Sequence, residues 1–200
     1  MTEPTTRRRL SADDRRTEIL AAARQLFATN GYDATTTREI ARAADMSDAL
    51  LYRHFANKQE VLDQVIDRAI AAFGTLPPIS RLQDLPTDAL LRAIGTVFLE
   101  RVAANLDLIT ILVGEHSAAN DPRFAAFIDA AATALGTDLS QREAAASVEE
   151  GYLMARSFFG SLISFVLLQS VLGMDAVRPT PSDAYLEHLV DVYAGGSRIR

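Results

Sequence analysis

The chain has 200 residues, 48% of them hydrophobic and 23% charged, so it can bury a real core and is neither disordered nor collagen-like. It has no cysteine, which excludes disulfide frameworks, cysteine zinc sites and thiol catalysis and fits a reducing compartment. The net charge of −6 is unevenly placed: residues 1–58 hold ten Lys/Arg and eight Asp/Glu, residues 59–200 ten and eighteen. The two parts are therefore expected to meet different partners.

Arg7, Arg8 and Arg9 are followed by Asp13, Asp14, Arg15 and Arg16 where an export signal needs an apolar run, so a cytoplasmic location is expected. The uncharged stretch 157–174 falls a little short of a bilayer span of about 20 apolar residues and contains Ser161, Ser164, Gln169 and Ser170. It is expected to be a buried helix, with no membrane partner.

Apolar residues recur at helical spacing throughout, and no segment alternates as a strand does, so the fold class is all-α. In the first helix Ile19, Leu20, Ala23, Leu26 and Phe27 share a face. Asn30-Gly31-Tyr32 closes it, glycine taking the left-handed position and tyrosine folding back onto Phe27. Thr36-Thr37-Arg38-Glu39 has the spacing of a capping box and opens a second helix that runs to about Ala43. Ser47 caps a third, Asp48 to His54, and Asn57 with Glu60 repeats the device for a fourth. The fourth helix places Val61, Leu62, Val65, Ile66, Ala69, Ile70 and Phe73 on one stripe before Gly74 and Pro77-Pro78. Further helices are expected at about 86–104, 106–118, 122–145, 148–173 and 182–194, with Pro86, Pro122 and Pro181 at their starts. The expected organisation is a helix-turn-helix head at 11–57, a helical regulatory and dimerisation body at 58–195, and disordered tails at 1–10 and 196–200.

Two short helices joined by a three-residue turn make a helix-turn-helix, cored by Ile40, Ala44, Met46, Leu51 and Phe55 against the first helix. The outer faces carry Thr37, Arg38, Ser47, Asp48, Ala49, Leu50, Tyr52, Arg53 and His54, which can reach a DNA major groove about 12 Å wide. Lys58, the only lysine, stands at the fourth helix's amino end, where free amides and the helix dipole favour an anion. Asp48 reads equally as a first-turn acid favoured by the helix dipole. Tyr52 and His54 read equally as packing against the first helix, and Arg7, Arg8 and Arg9 as a solvated tail.

The run Arg16-Thr17-Glu18-Ile19-Leu20, Gly31-Tyr32, Thr36 to Ala41, Leu51-Tyr52-Arg53-His54-Phe55 and Asn57-Lys58 resembles the DNA-binding head of TetR-family transcriptional regulators. The resemblance covers about residues 13–65; the body is similar only in helix count and length. It implies that Thr37, Tyr52, His54 and Lys58 contact phosphates and that Arg38, Asp48, Ala49 and Leu50 approach bases. With Thr36 and Ser47 at the two helix starts, these make up the expected DNA-binding surface. Two positions depart from the family pattern: Asp45 stands where glycine is often found in the turn, and Leu50 where threonine often meets bases. Contact at Leu50 would be apolar, as with a thymine methyl group.

The 148–173 helix carries a small-residue strip, Ser157, Gly160, Ser161 and Ser164, among Phe158, Phe159, Leu162, Ile163, Phe165, Val166, Leu167 and Leu168. Apolar nearly all round, it needs cover on every side, which a second subunit supplies. A homodimer through 148–173 and 182–194 is expected, with a roughly palindromic operator as its double-stranded DNA partner. The resemblance implies a cavity for a small apolar or aromatic ligand in the body. Candidate lining residues are Phe98, Arg101, His116, Phe127, Tyr152, Met154 and Phe158, with Glu115 and Arg156 as further polar groups. His116 beside Glu115 reads more readily as a helix-surface pair than as a ligand contact. No catalytic group, metal site or cofactor is expected, since His54, His116 and His188 stand apart and there is no phosphate loop. The expected function is a sequence-specific regulator, a repressor, released from its operator by the ligand with the fourth helix as lever. The alternative is an architectural or non-inducible DNA-binding protein of the same fold.

Overall fold

The computed structural model describes residues 11–73, 79–114, 122–142 and 144–195, with the backbone alone at Ala72, Phe73, Ser80, Leu112, Val113, Gly114 and Phe124. The expected tails, Glu115 and His116 lie outside these ranges. All regular elements among the described residues are helical: α1 (Ala12–Asn30), α2 (Thr37–Ala43), α3 (Asp48–Leu51), α4 (Lys58–Phe73), α5 (Thr87–Ala103), α6 (Leu106–Gly114), α7 (Pro122–Gln141), α8 (Val148–Val166) and α9 (Ser182–Gly195). Contacts divide the chain after Arg68 into two units, the first taking in most of α4.

In the first unit local polar signals set each boundary. Ser11 and Asp14 form a capping box at the start of α1, a signal the sequence reading passed over. Gly31, at φ 82°, donates its N–H to the Phe27 carbonyl at 3.0 Å, and the Tyr32 ring lies 5.3 Å from that of Phe27. Positive φ is cheap for glycine, so the chain can turn sharply there. The Thr36–Glu39 box is formed in both directions, at 3.2 and 2.8 Å. Ile19, Leu20, Ala23, Phe27, Ile40, Ala41, Leu51, Phe55, Val61 and Leu62 are buried as one apolar centre. The third helix is shorter than expected, ending at Leu51. Beyond it the His54 and Phe55 amides both donate to the Leu51 carbonyl, in tightening turns that bring Phe55 inward.

The second unit is built on close helix packing. A Cβ on Gly151 would stand 2.2 Å from the Gly136 carbonyl oxygen, so α7 and α8 meet backbone to backbone. Phe98 of α5 and Phe159 of α8 lie 5.1 Å apart at the centre, with Phe158 and Tyr193 edge to face beside them. Instead of continuing to 145, α7 stops at Gln141. The Arg142 side chain there turns to Asp138 and to the carbonyls of Leu82, Gln83 and Leu85. The expected 148–173 helix is α-helical only to Val166. It then widens into a π turn over Leu167–Val171, and Gly173, at φ 74°, ends it.

Nor is α8 buried on every side. Gly151, Ala155, Phe158, Phe159, Leu162, Phe165 and Val166 face the core, whereas Ser157, Gly160 and Ser164 are exposed and Leu153 and Leu168 are 53% and 41% exposed. Counted from Val148 to Val171, and so beyond the uncharged stretch 157–174, this helix is long and apolar enough to cross a membrane by length and composition. The packing of its inner face in the body core is that of a core helix.

Candidate nucleic-acid interface

The site is assembled by what the helix-turn-helix cannot bury. Ile40, Ala41 and Leu51 point into the first unit, which turns Arg38, Ala49, Tyr52 and Arg53 to solvent. Thr36 and Ser47 are exposed at the helix starts, each accepting a backbone N–H three residues on, while Thr37, Asp48, Leu50 and His54 are half-buried. The turn between the helices passes through Asp45 at φ 52°, the left-handed conformation in which glycine is cheaper. Arg38, Arg42, Met46, Ser47, Asp48 and Ala49 line a shallow depression of about 460 Å³ along the seam of α2 and α3. Arg42 was missed in the sequence, though its place one turn after Arg38 puts both guanidinium groups on one face.

Polar bonds hold this surface in shape. The Tyr52 hydroxyl lies 3.0 Å from Thr37 Oγ1, so its ring spans from the end of α3 to the start of α2 rather than simply covering α1. Arg16 Nη1 donates to the His54 carbonyl at 2.7 Å and its guanidinium lies 4.5 Å from the Phe55 ring centre. No local pattern announces that bond, because its partners are 38 residues apart. Lys58 Nζ donates to the carbonyls of Tyr32 and Thr35 at 2.7 and 2.9 Å and lies 4.0 Å from the Tyr32 ring centre. Two of its three donors thus fasten the α1–α2 connection. The Glu39 carboxyl is held below the usual carboxylate range, first by the Thr36 N–H and then by the Thr36 hydroxyl. An ionised acid is thereby secured at the start of α2, where the helix dipole favours it.

The ligand candidates of the body are not brought together into one cavity. Phe98 and Phe158 are packed solid in the core, and Phe127 and Met154 are half-buried against it. Arg101 is half-buried near the end of α5. Tyr152 lines a separate depression of about 590 Å³ between α7 and α8, where its hydroxyl donates to Asp129 at 2.8 Å and accepts from Arg156 at 3.1 Å.

Residues 19–65 match the family model described as bacterial regulatory proteins, tetR family. The head belongs to the tetR family. The chain is 37% identical over 103 residues to an uncharacterized HTH-type transcriptional regulator YvkB of Bacillus subtilis, covering 52% of this chain and 53% of that one. It is 36% identical over 110 residues to the HTH-type transcriptional repressor KstR2 of Rhodococcus jostii, covering 54% and 53%. It therefore spans about half the length of the curated relatives it matches. In fold it resembles AibR, solved in complex with isovaleryl coenzyme A and operator DNA, with a TM-score of 0.65 at 24% identity over 89% of this chain and 97% of AibR.

Proposed function

We propose that the protein is a transcriptional regulator, a repressor, that binds double-stranded operator DNA through the α2–α3 surface and is released by a small-molecule ligand. The observation that carries this reading is the exposed seam of Arg38, Arg42, Ser47 and Ala49, held on a buried core of Ile40 and Leu51. A cation and small side chains at the start of a helix suit base edges in a major groove, and flanking hydroxyls suit phosphates. In this arrangement Arg38, Asp48, Ala49 and Leu50 approach bases, and Thr36, Thr37, Ser47, Tyr52 and His54 the backbone. Lys58 positions the loop through two donors and offers its third to a phosphate.

The protein acts as a twofold dimer through the uncovered side of α8 and through α9. The stripe of Ser157, Gly160 and Ser164 flanked by Leu153 and Leu168 is one a second copy can cover closely, since nothing lies within 4 Å of a Cβ on Gly160. A dimer presents two α3 helices to half-sites about one DNA turn apart, hence a near-palindromic operator. Release follows from linkage: a ligand that prefers one body conformation lowers DNA affinity by the factor by which DNA lowers its own, about five- to 150-fold. α4, shared between the two units, transmits it. Such a regulator works in the cytoplasm, beside the chromosome, and needs no catalytic group.

Selecting bound sequences from random duplexes tests the reading. Arg38→Ala should relax the preferred sequence, and Tyr52→Phe should weaken all sites alike. Absence of any preferred sequence for the wild-type chain would overturn it.

A further inference from the structure

A larger depression, about 890 Å³, opens on the body between α5, the π turn and the start of α9. None of the residues expected from the sequence to hold a ligand lines it. Its walls are apolar, formed by Leu99, Phe165, Val166 and Leu186. Gln169, in the middle of the π turn, also lines it. That side chain is 9% exposed, and its Oε1 is a buried oxygen with no hydrogen-bond partner among the described residues. Buried polar atoms are nearly always paired, so one retained at the edge of a cavity asks for a partner from outside the chain. π turns within helices are frequent at functional sites.

The chemistry of that partner follows from three features. Oε1 is an acceptor, so the partner must donate. The rim carries Glu100, Asp175 and Asp183, while Arg92, the cation among the described lining residues, is engaged by Glu187 at 2.6 Å and Asp88 at 3.6 Å. The partner is therefore favoured as a cation. Apolar walls require an apolar body behind the charge. We propose that this depression binds an apolar organic cation bearing N–H donors, an alkyl or aryl ammonium, with the Gln169 amide turned about its soft terminal torsion to accept from it. Binding stands on these observations alone; that occupancy alters DNA affinity rests on the regulatory reading above.

Calorimetric titration of the full chain with octylammonium, octyltrimethylammonium and octanoate tests the site. Octylammonium should bind saturably at one per chain. The trimethyl compound keeps the charge but lacks N–H, and should bind about tenfold more weakly, the loss expected for one hydrogen bond. Octanoate should not bind. Gln169→Leu should weaken octylammonium about tenfold without lowering the melting temperature, because it removes an unpaired acceptor, and Glu100→Gln should weaken both cations alike. Unchanged octylammonium affinity in Gln169→Leu, or equal binding of octanoate, would overturn the site. Octylammonium binding that leaves the affinity for a selected DNA site untouched would uphold the site and overturn the proposed regulation.

Discussion

The two units solve the problem of positioning helices in different ways. In the first, helix starts are written in polar side chains: Ser11 with Asp14, Thr36 with Glu39, Ser47, and Asn57 with Glu60. In the second, Ser147 caps α8 in the same way, but the helices are placed by contact, backbone against backbone at Gly136 and Gly151 and ring against ring at Phe98 and Phe159. The contrast fits the work proposed for each. A surface that must meet DNA in one geometry gains from many directional bonds, whereas a body that must respond to a ligand needs helices that can pack in more than one way.

Substitutions in the body should accordingly cost more than those in the head. Arg142→Ala leaves Asp138 buried without its guanidinium and three loop carbonyls without their donor, and should cost about 3 kcal/mol. A denaturant midpoint moved by less than a third of that would mean that the loop is held otherwise. Gly151→Ala forces α7 and α8 apart and should cost about 2 kcal/mol. Its partner experiment, Gly160→Ala on the open side of the same helix, should stabilise the chain by about 0.5 kcal/mol while weakening self-association measured by sedimentation.

In the head, Arg16→Ala removes a charged bond to the His54 carbonyl and should cost about 1.5 kcal/mol, with faster amide exchange at the end of α3. An effect as large as that of Arg142→Ala would erase the contrast. Asp45→Gly relieves a left-handed residue and should raise the melting temperature slightly, by a gain of about 0.5 kcal/mol. The smallest effect concerns pH. Glu39 titrates below its ordinary value of 4.5 in the folded head, so its contribution is present above that pH and is lost as pH falls through the depressed folded value. Glu39→Gln should therefore flatten the acid limb of head stability and leave neutral pH nearly unchanged; an unaltered acid limb would show that the box does not hold that proton equilibrium.

The head was legible because its signals are local. A cap and its partner lie three residues apart, so Thr36, Glu39, Ser47 and Asn57 announce α2, α3 and α4 before any fold is known. Tyr32 onto Phe27 is equally local, and so, in retrospect, is Arg42 beside Arg38. The roles of Arg16 and Lys58 within the head were not legible, since their carbonyl partners are 38, 26 and 23 residues away.

Periodicity and punctuation, read along the chain, sufficed for the all-helical class, the order of helices and the helix-turn-helix, because each depends on neighbours within a turn or two. Which apolar residues would be solid core and which would border a cavity depended on pairs far apart in the chain. Phe98 and Phe158 each closed on Phe159, and Phe158 on Tyr193 as well, while the depression formed around Gln169, a residue that reads as an ordinary polar break in an apolar run. Burial is a property of what the rest of the chain brings alongside, and no spacing rule along one helix contains it.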